Sequence, residues 1–238
     1  MENRSLWSRF TAEFIGTFFL VFAGTGSIIV NSFYNGIIGH VGISITFGLV
    51  VMTMIYAIGD LSGAHLNPAV SFGFWVSKKI SHKVLIYYTV SQILGAFSAS
   101  LILFFSFPDS ATYGETLPQL GIIKTAVFEI ILSFFLMFVI LHVSTGSKEK
   151  GLLAGVAVGG TVMLEALFAG PLTGASMNPA RSLAPAIISN NLDTVWIYIT
   201  APMIGAMLAV LSCKLLREEC CMNQDKSSHV TQFENNSN

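Results

Sequence analysis

The segment SGAHLNPAVS at residues 62–71 returns as TGASMNPARS at residues 173–182, identical at six of ten positions across a separation of 111 residues. Each copy centres on Asn-Pro-Ala, as Asn67, Pro68 and Ala69 and again as Asn178, Pro179 and Ala180. Asn is a favoured N-cap and Pro a favoured first helical residue, so each Asn-Pro reads as a helix start. The apolar stretches that follow, 68–77 and 179–188, are only about half the length that crosses a ~30 Å hydrocarbon layer. Each is predicted to be a re-entrant half-helix, which a membrane tolerates only where it is buried in protein or lines a watery cavity. The preceding Gly63 and Gly174 are expected to permit an extended backbone whose carbonyls face something polar.

The sequence around these segments is that of a membrane protein. Hydrophobic residues make up 53% of the 238 and charged residues 11%, well below the quarter usual for soluble domains. Six apolar blocks, at 11–30, 41–59, 85–107, 122–143, 152–169 and 195–216, are each long enough to span as a helix. The duplication extends into them, because EFIGTFFLVF at 13–22 matches EIILSFFLMF at 129–138 at six of ten positions. With three spans in each half, the second half enters from the opposite side of the membrane. The expected fold is an all-α membrane protein of six transmembrane helices plus two re-entrant half-helices in an inverted three-span repeat. The first repeat occupies 1–143, a connecting loop 144–150, and the remainder of the second repeat 151–217; that second repeat as a whole starts near 122. A disordered tail is expected at 218–238, where the sequence turns polar.

Charge gives the orientation. Ten of the twelve Lys and Arg residues fall on the side that holds both ends of a six-span chain, and only Lys124 and Arg181 fall on the other. The positive-inside rule then puts both termini in the cytoplasm. The net charge of −1 and the absence of a basic stripe give no reason to expect a nucleic-acid partner. Cys213, Cys220 and Cys221 lie at or beyond the last span on the cytoplasmic side, so no disulfide framework is expected. Cys220 and Cys221 beside a membrane are candidates for acylation, with unmodified thiols as the alternative. Neither a phosphate-binding glycine loop nor a GxSxG elbow is present, which argues against an ATP-coupled pump and a hydrolase.

On these residues the chain resembles the aquaporin, or major intrinsic protein, family from about residue 11 to 216. The resemblance implies a narrow passive pore in each subunit of a homotetramer, with no cofactor and no catalysis, in the cell (plasma) membrane. It implies that Asn67 and Asn178 donate hydrogen bonds to the permeating molecule, and that carbonyls of Gly63, Ala64, His65 and Leu66 and of Gly174, Ala175, Ser176 and Met177 form an acceptor ladder. Glu13 and Glu129 correspond to the pair that holds the two loops through their backbone N–H groups. A carboxylate buried in a span needs such partners. Two helix N-termini meeting near the midplane, each carrying roughly half a positive charge, oppose a cation and leave a neutral solute unaffected.

The family's outer filter falls, by spacing from the motifs, on Phe47, Ala166, Ala175 and Arg181. Arg181 supplies donors and repels cations. Ala166 stands where strict water channels generally carry His, and with Ala175 it predicts a wider, less polar constriction. That pattern is similar to the plant nodulin-like branch and to some microbial relatives, which pass glycerol, urea or neutral metalloid hydroxides. Two positions pull toward water channels instead: Ser182 follows the filter arginine where glycerol facilitators carry Asp, and Tyr198 stands where they often carry Pro. The expected function is therefore a passive channel for water and small uncharged solutes that excludes ions and protons. A water-selective aquaporin is the alternative, and an ion-coupled secondary transporter with Glu165 as coupling residue is the more distant one. Glu165 is expected to partner loop backbone or Arg181 in preference to facing the pore. His65 is expected to pack or hydrogen-bond beside the ladder, not to bind metal. His40, His82 and His142, near span ends, are weak candidates for pH gating.

Overall fold

The computed structural model describes residues 4–144 and 152–216, and the expectations for the connecting loop, for the 218–238 tail and for Cys220 and Cys221 lie largely or wholly outside those residues. Eight helices are present among the described residues: α1 (Leu6–Phe33), α2 (Gly39–Ser62), α3 (Pro68–Val76), α4 (His82–Ser106), α5 (Ile122–Ser144), α6 (Ala154–Thr173), α7 (Pro179–Ile188) and α8 (Val195–Leu216). Six of them are long and apolar enough to cross a membrane, and α3 and α7 are the short ones of nine and ten residues. α1 and α2 overrun their apolar blocks at both ends, because polar residues there continue the backbone ladder past the hydrocarbon. The start of α1 illustrates this, where Ser5 caps the helix by accepting from Ser8 N at 3.1 Å.

The two halves repeat one packing scheme. α1 packs on α4 and, equivalently, α5 packs on α8; α2 against α6 joins the halves. The half-helices cross over: α3 rests on α8 as well as α4, and α7 on α4 as well as α8. Backbones approach closely where α4 meets α1 and where α8 meets α5. A Cβ on Gly95 would stand 2.4 Å from Phe14 O, and one on Gly205 would stand 2.3 Å from Ile130 O. Small residues at such crossings give membrane helices their van der Waals contact, since lipid offers no hydrophobic drive between them. The outward faces carry exposed Ile15, Phe19, Ile131, Leu164 and Leu208, as a lipid-facing surface requires.

Cys213 in the last turn of α8 is disulfide-bonded, which corrects the expectation that none of the three cysteines pairs.

Candidate functional site

Both Asn-Pro segments start helices. Asn67 and Asn178 are extended N-caps whose Oδ1 atoms accept from Ala69 N (2.8 Å) and Ala180 N (3.0 Å), with Pro68 and Pro179 in the first turn. Their amide nitrogens cross to the opposite half. Asn67 Nδ2 donates to Met177 O at 2.7 Å, and Asn178 Nδ2 donates to Leu66 O at 2.9 Å. Each amide nitrogen has two hydrogens, so one remains on each Asn, and both side chains line a common cavity.

The loops before the two motifs are built alike. Gly63 and Gly174 are left-handed C-caps of α2 and α6, at φ +91° and +86°. This corrects the extended backbone expected there: each glycine ends a helix instead of lengthening a strand-like run. The left-handed turn continues through non-glycine residues, with positive φ at Ala64 and Leu66 in one loop and at Ala175 and Met177 in the other. Such backbone costs on the order of 1–3 kcal/mol per residue and persists only where surroundings over-determine it. Here a buried carboxylate does so on each side. Glu13 accepts from His65 N (2.8 Å), Leu66 N (2.7 Å), Ser62 Oγ (2.7 Å) and Gln92 Nε2 (2.8 Å). Glu129 accepts from Ser176 N (2.9 Å), Met177 N (2.9 Å) and Thr173 Oγ1 (2.8 Å). Both glutamates are 0% exposed. The hydroxyls of Tyr88 and Tyr198 secure the loop entrances by donating to Ser62 O (2.6 Å) and Thr173 O (2.8 Å).

Two cavities occupy the space between the halves. The inner one runs past Asn67, Asn178, both loops and an aliphatic wall that includes Leu20, Val51, Leu136 and Val158. The outer one is lined by residues that include Asn31, His40, Ser44, Glu115 and Gln119. The linings share four residues: Phe47, Ala166, Ala175 and Arg181. Arg181 is 2% exposed, donates from Nη1 to Gly114 O at 2.7 Å, and sets its guanidinium 5.2 Å from the Phe47 ring centre. Its Nε has no partner among the described residues.

Comparison with known proteins fits this arrangement. The family model described as Major intrinsic protein matches residues 1–212. The chain belongs to the major intrinsic protein family. Among its relatives, Aquaporin NIP1-1 of Zea mays is 44% identical over 207 residues, covering 87% of this chain and 73% of that protein. Nodulin-26 of Glycine max is 40% identical over 212 residues, covering 88% and 78%. The X-ray structure of the aquaglyceroporin from Plasmodium falciparum superimposes with a TM-score of 0.81 at 27% identity, over 91% of this chain and 99% of that one. As a member of the family the chain is a multi-pass membrane channel and not an enzyme.

Within this major intrinsic protein fold, His65 stacks on Phe74 at 4.4 Å between ring centres, and its Nδ1 lies 3.1 Å from Ser71 Oγ. Among the described residues no group of three or more His, Cys, Asp or Glu side chains is disposed to hold a metal. Glu165 differs from its expected role. It is 1% exposed, neither carboxyl oxygen has a hydrogen-bond partner among the described residues, and it lines neither cavity. One residue turns a helix by about 100°, which separates Glu165 from the path-lining Ala166.

Sequence reasoning missed the loop between α4 and α5. Gly114 O receives Arg181, and Thr116 Oγ1 donates to Ser182 Oγ at 2.8 Å, which is itself 2.5 Å from Ser176 Oγ. Ser182, taken from sequence as a sign of water selectivity, is thus a buried link between the second motif and that loop. The paired tyrosines were also missed, yet a signal existed: Tyr88 and Tyr198 each precede a Gly-Ala pair by seven residues, at Gly95 and Gly205.

Proposed function

We propose that this chain is a passive pore for water and small uncharged solutes of glycerol or urea size, including neutral metalloid hydroxides. Its constriction is assigned to Phe47, Ala166, Ala175 and Arg181. The observation that carries the reading is that two cavities meet at just these four side chains, two of them alanine. An aromatic ring, a guanidinium and two methyl groups in one shared lining suit a solute with both a hydrocarbon and a hydroxyl side. Below the constriction the lining combines aliphatic side chains with the two loops and the two asparagines, which continues the same mixture.

Ions are opposed twice. Arg181 is a fixed cation at the constriction, and the α3 and α7 N-termini direct roughly half a positive charge each toward the meeting point of the asparagines. An ion-coupled transporter gains nothing from Glu165, which lines neither cavity. The names of its relatives, aquaporins and an aquaglyceroporin, agree with a neutral-solute channel. A homotetramer in the cell membrane with both termini cytoplasmic completes the reading; the orientation is supported by the ten basic residues on one side.

The test is light scattering on proteoliposomes shocked with sucrose, glycerol, urea or boric acid. Faster volume change than in empty vesicles, for water and for at least one neutral solute, is expected. No acceleration for any of them refutes the channel. Acceleration for water alone selects the water-specific alternative.

A further inference from the structure

On the wall of the outer cavity, the α2–α6 packing carries a device built around His40 and Pro171. Pro171 lies inside α6 and has no N–H, so the carbonyl four residues earlier, Leu167 O, has no helical donor. His40, in the first turn of α2, points Nε2 at that oxygen at 2.7 Å. A carbonyl only accepts, so Nε2 carries the proton and donates. The imidazole is seated closely, since a Cβ on Gly170 would lie 2.9 Å from His40 Cε1.

This contact is one of three along the same pair of helices. Mid-span, Gly48 and Gly159 bring the backbones together: a Cβ on either would stand 2.7 or 2.6 Å from the other's carbonyl oxygen. At the far end, Tyr56 OH donates to Leu152 O at 3.0 Å, and its ring covers Gly155. The tight crossing acts as a fulcrum, with a side-chain-to-carbonyl bond fixing each end. The outer end matters for selection, because Phe47 lies two turns along α2 from His40, and Ala166 directly precedes Leu167. Those are two of the four constriction positions, one on each clamped helix.

We propose that His40 is a specificity-determining positioning residue: by donating to the carbonyl that Pro171 leaves open, it clamps the outer ends of α2 and α6 and so sets the width of the constriction between Phe47 and Ala166. The inference rests on the channel reading above. His40 also lines the outer cavity, but the role assigned to it acts through the helix positions and not through contact with solute.

The test compares the ratio of glycerol to water permeability in proteoliposomes of the full chain, by light scattering. A misfolded fraction lowers both rates together and leaves the ratio unmoved, so the ratio isolates pore width. His40→Ala is expected to raise it about two- to tenfold, the equilibrium effect of one net hydrogen bond. His40→Gln, whose amide N–H reaches the same carbonyl, is expected to return it toward the wild-type value. In a Pro171→Ala background, Leu167 O regains a helical donor, and adding His40→Ala is expected to change the ratio no further. An unchanged or lowered ratio in His40→Ala, no rescue by Gln, or a full His40→Ala effect in the Pro171→Ala background overturns the clamp. If the wild-type protein conducts neither water nor glycerol, the channel reading itself fails, a result separate from any of these.

Discussion

Glu129 and Glu165 are two carboxyls that burial alone does not distinguish, at 0% and 1% exposed, and replacing each by Gln separates them. Glu129 Oε1 accepts from Ser176 N and Thr173 Oγ1, and Oε2 accepts from Met177 N. A glutamine has one acceptor oxygen. Its better orientation keeps the Oε1 pair and turns an NH₂ toward Met177 N, donor against donor. The cost has two parts. One buried N–H loses its acceptor, about 1–3 kcal/mol, and two bonds lose their charge assistance, about 1 kcal/mol each. The sum, about 3–5 kcal/mol, corresponds to a fall in Tm of roughly 6–20 °C for a chain of this size. Glu165→Gln breaks no hydrogen bond seen among the described residues, so no comparable fall is expected. Thermal unfolding in detergent, followed by a tertiary-structure probe, measures both. The functional consequence follows from Met177 O, which holds Asn67 Nδ2 at 2.7 Å: if Met177 moves, the crossed asparagine pair opens and water permeability drops. Equal melting temperatures for the two variants, or a Glu129→Gln protein as stable and conductive as wild type, would refute the tethering argument.

Three further changes probe the constriction and the scaffold. Ala166→His fills one of the two alanine positions shared by the cavities, so glycerol permeability should fall several-fold more than water permeability in the liposome assay; equal losses would place the constriction elsewhere. Arg181→Val removes the fixed cation while keeping Phe47, and a dye-reported proton or cation leak should appear with neutral-solute flux retained; a tight membrane would transfer the whole barrier to the helix N-termini. Gly205→Val puts a Cβ within 2.3 Å of Ile130 O at the α5–α8 crossing, and a loss of about 1–3 kcal/mol or more is expected as a lowered detergent melting temperature.

The parts of this molecule legible in its sequence are those written twice. The spans follow from the length of the apolar blocks, the half-helices from the Asn-Pro starts, and the halves' inversion from the order in which both repeats recur. The positive φ at Ala64, Leu66, Ala175 and Met177 was not legible, since alanine, leucine and methionine carry no preference for it. That geometry is dictated from a distance by Glu13 and Glu129. The loop between α4 and α5 was illegible for a related reason: Gly114 acts through its carbonyl, and a carbonyl leaves no mark on residue identity. Glu165 failed in the opposite direction. A buried carboxyl argues for a partner on energetic grounds, yet its surroundings among the described residues supply none.

The mismatches between the halves give the proposed filter a reason to lie on one side. In the first half, Gln92 Nε2 reaches both Glu13 Oε2 (2.8 Å) and Ser71 Oγ (3.0 Å), tying carboxylate, half-helix and α4 together inside one repeat. Counting on from the paired tyrosines, the position equivalent to Gln92 is Pro202, which has no side-chain donor. The second half therefore lacks the internal tie, and among the described residues Glu129 Oε2 receives Met177 N alone. Ser182, the counterpart of Ser71, turns instead to Ser176 and to Thr116 in the loop that also holds Arg181 through Gly114 O. Replacing an internal strut by an external loop costs the scaffold one amide bridge. In exchange it gives Arg181, the counterpart of Val70, a fixed acceptor, so on the proposed reading the symmetric residues carry the fold and the broken symmetry carries the filter.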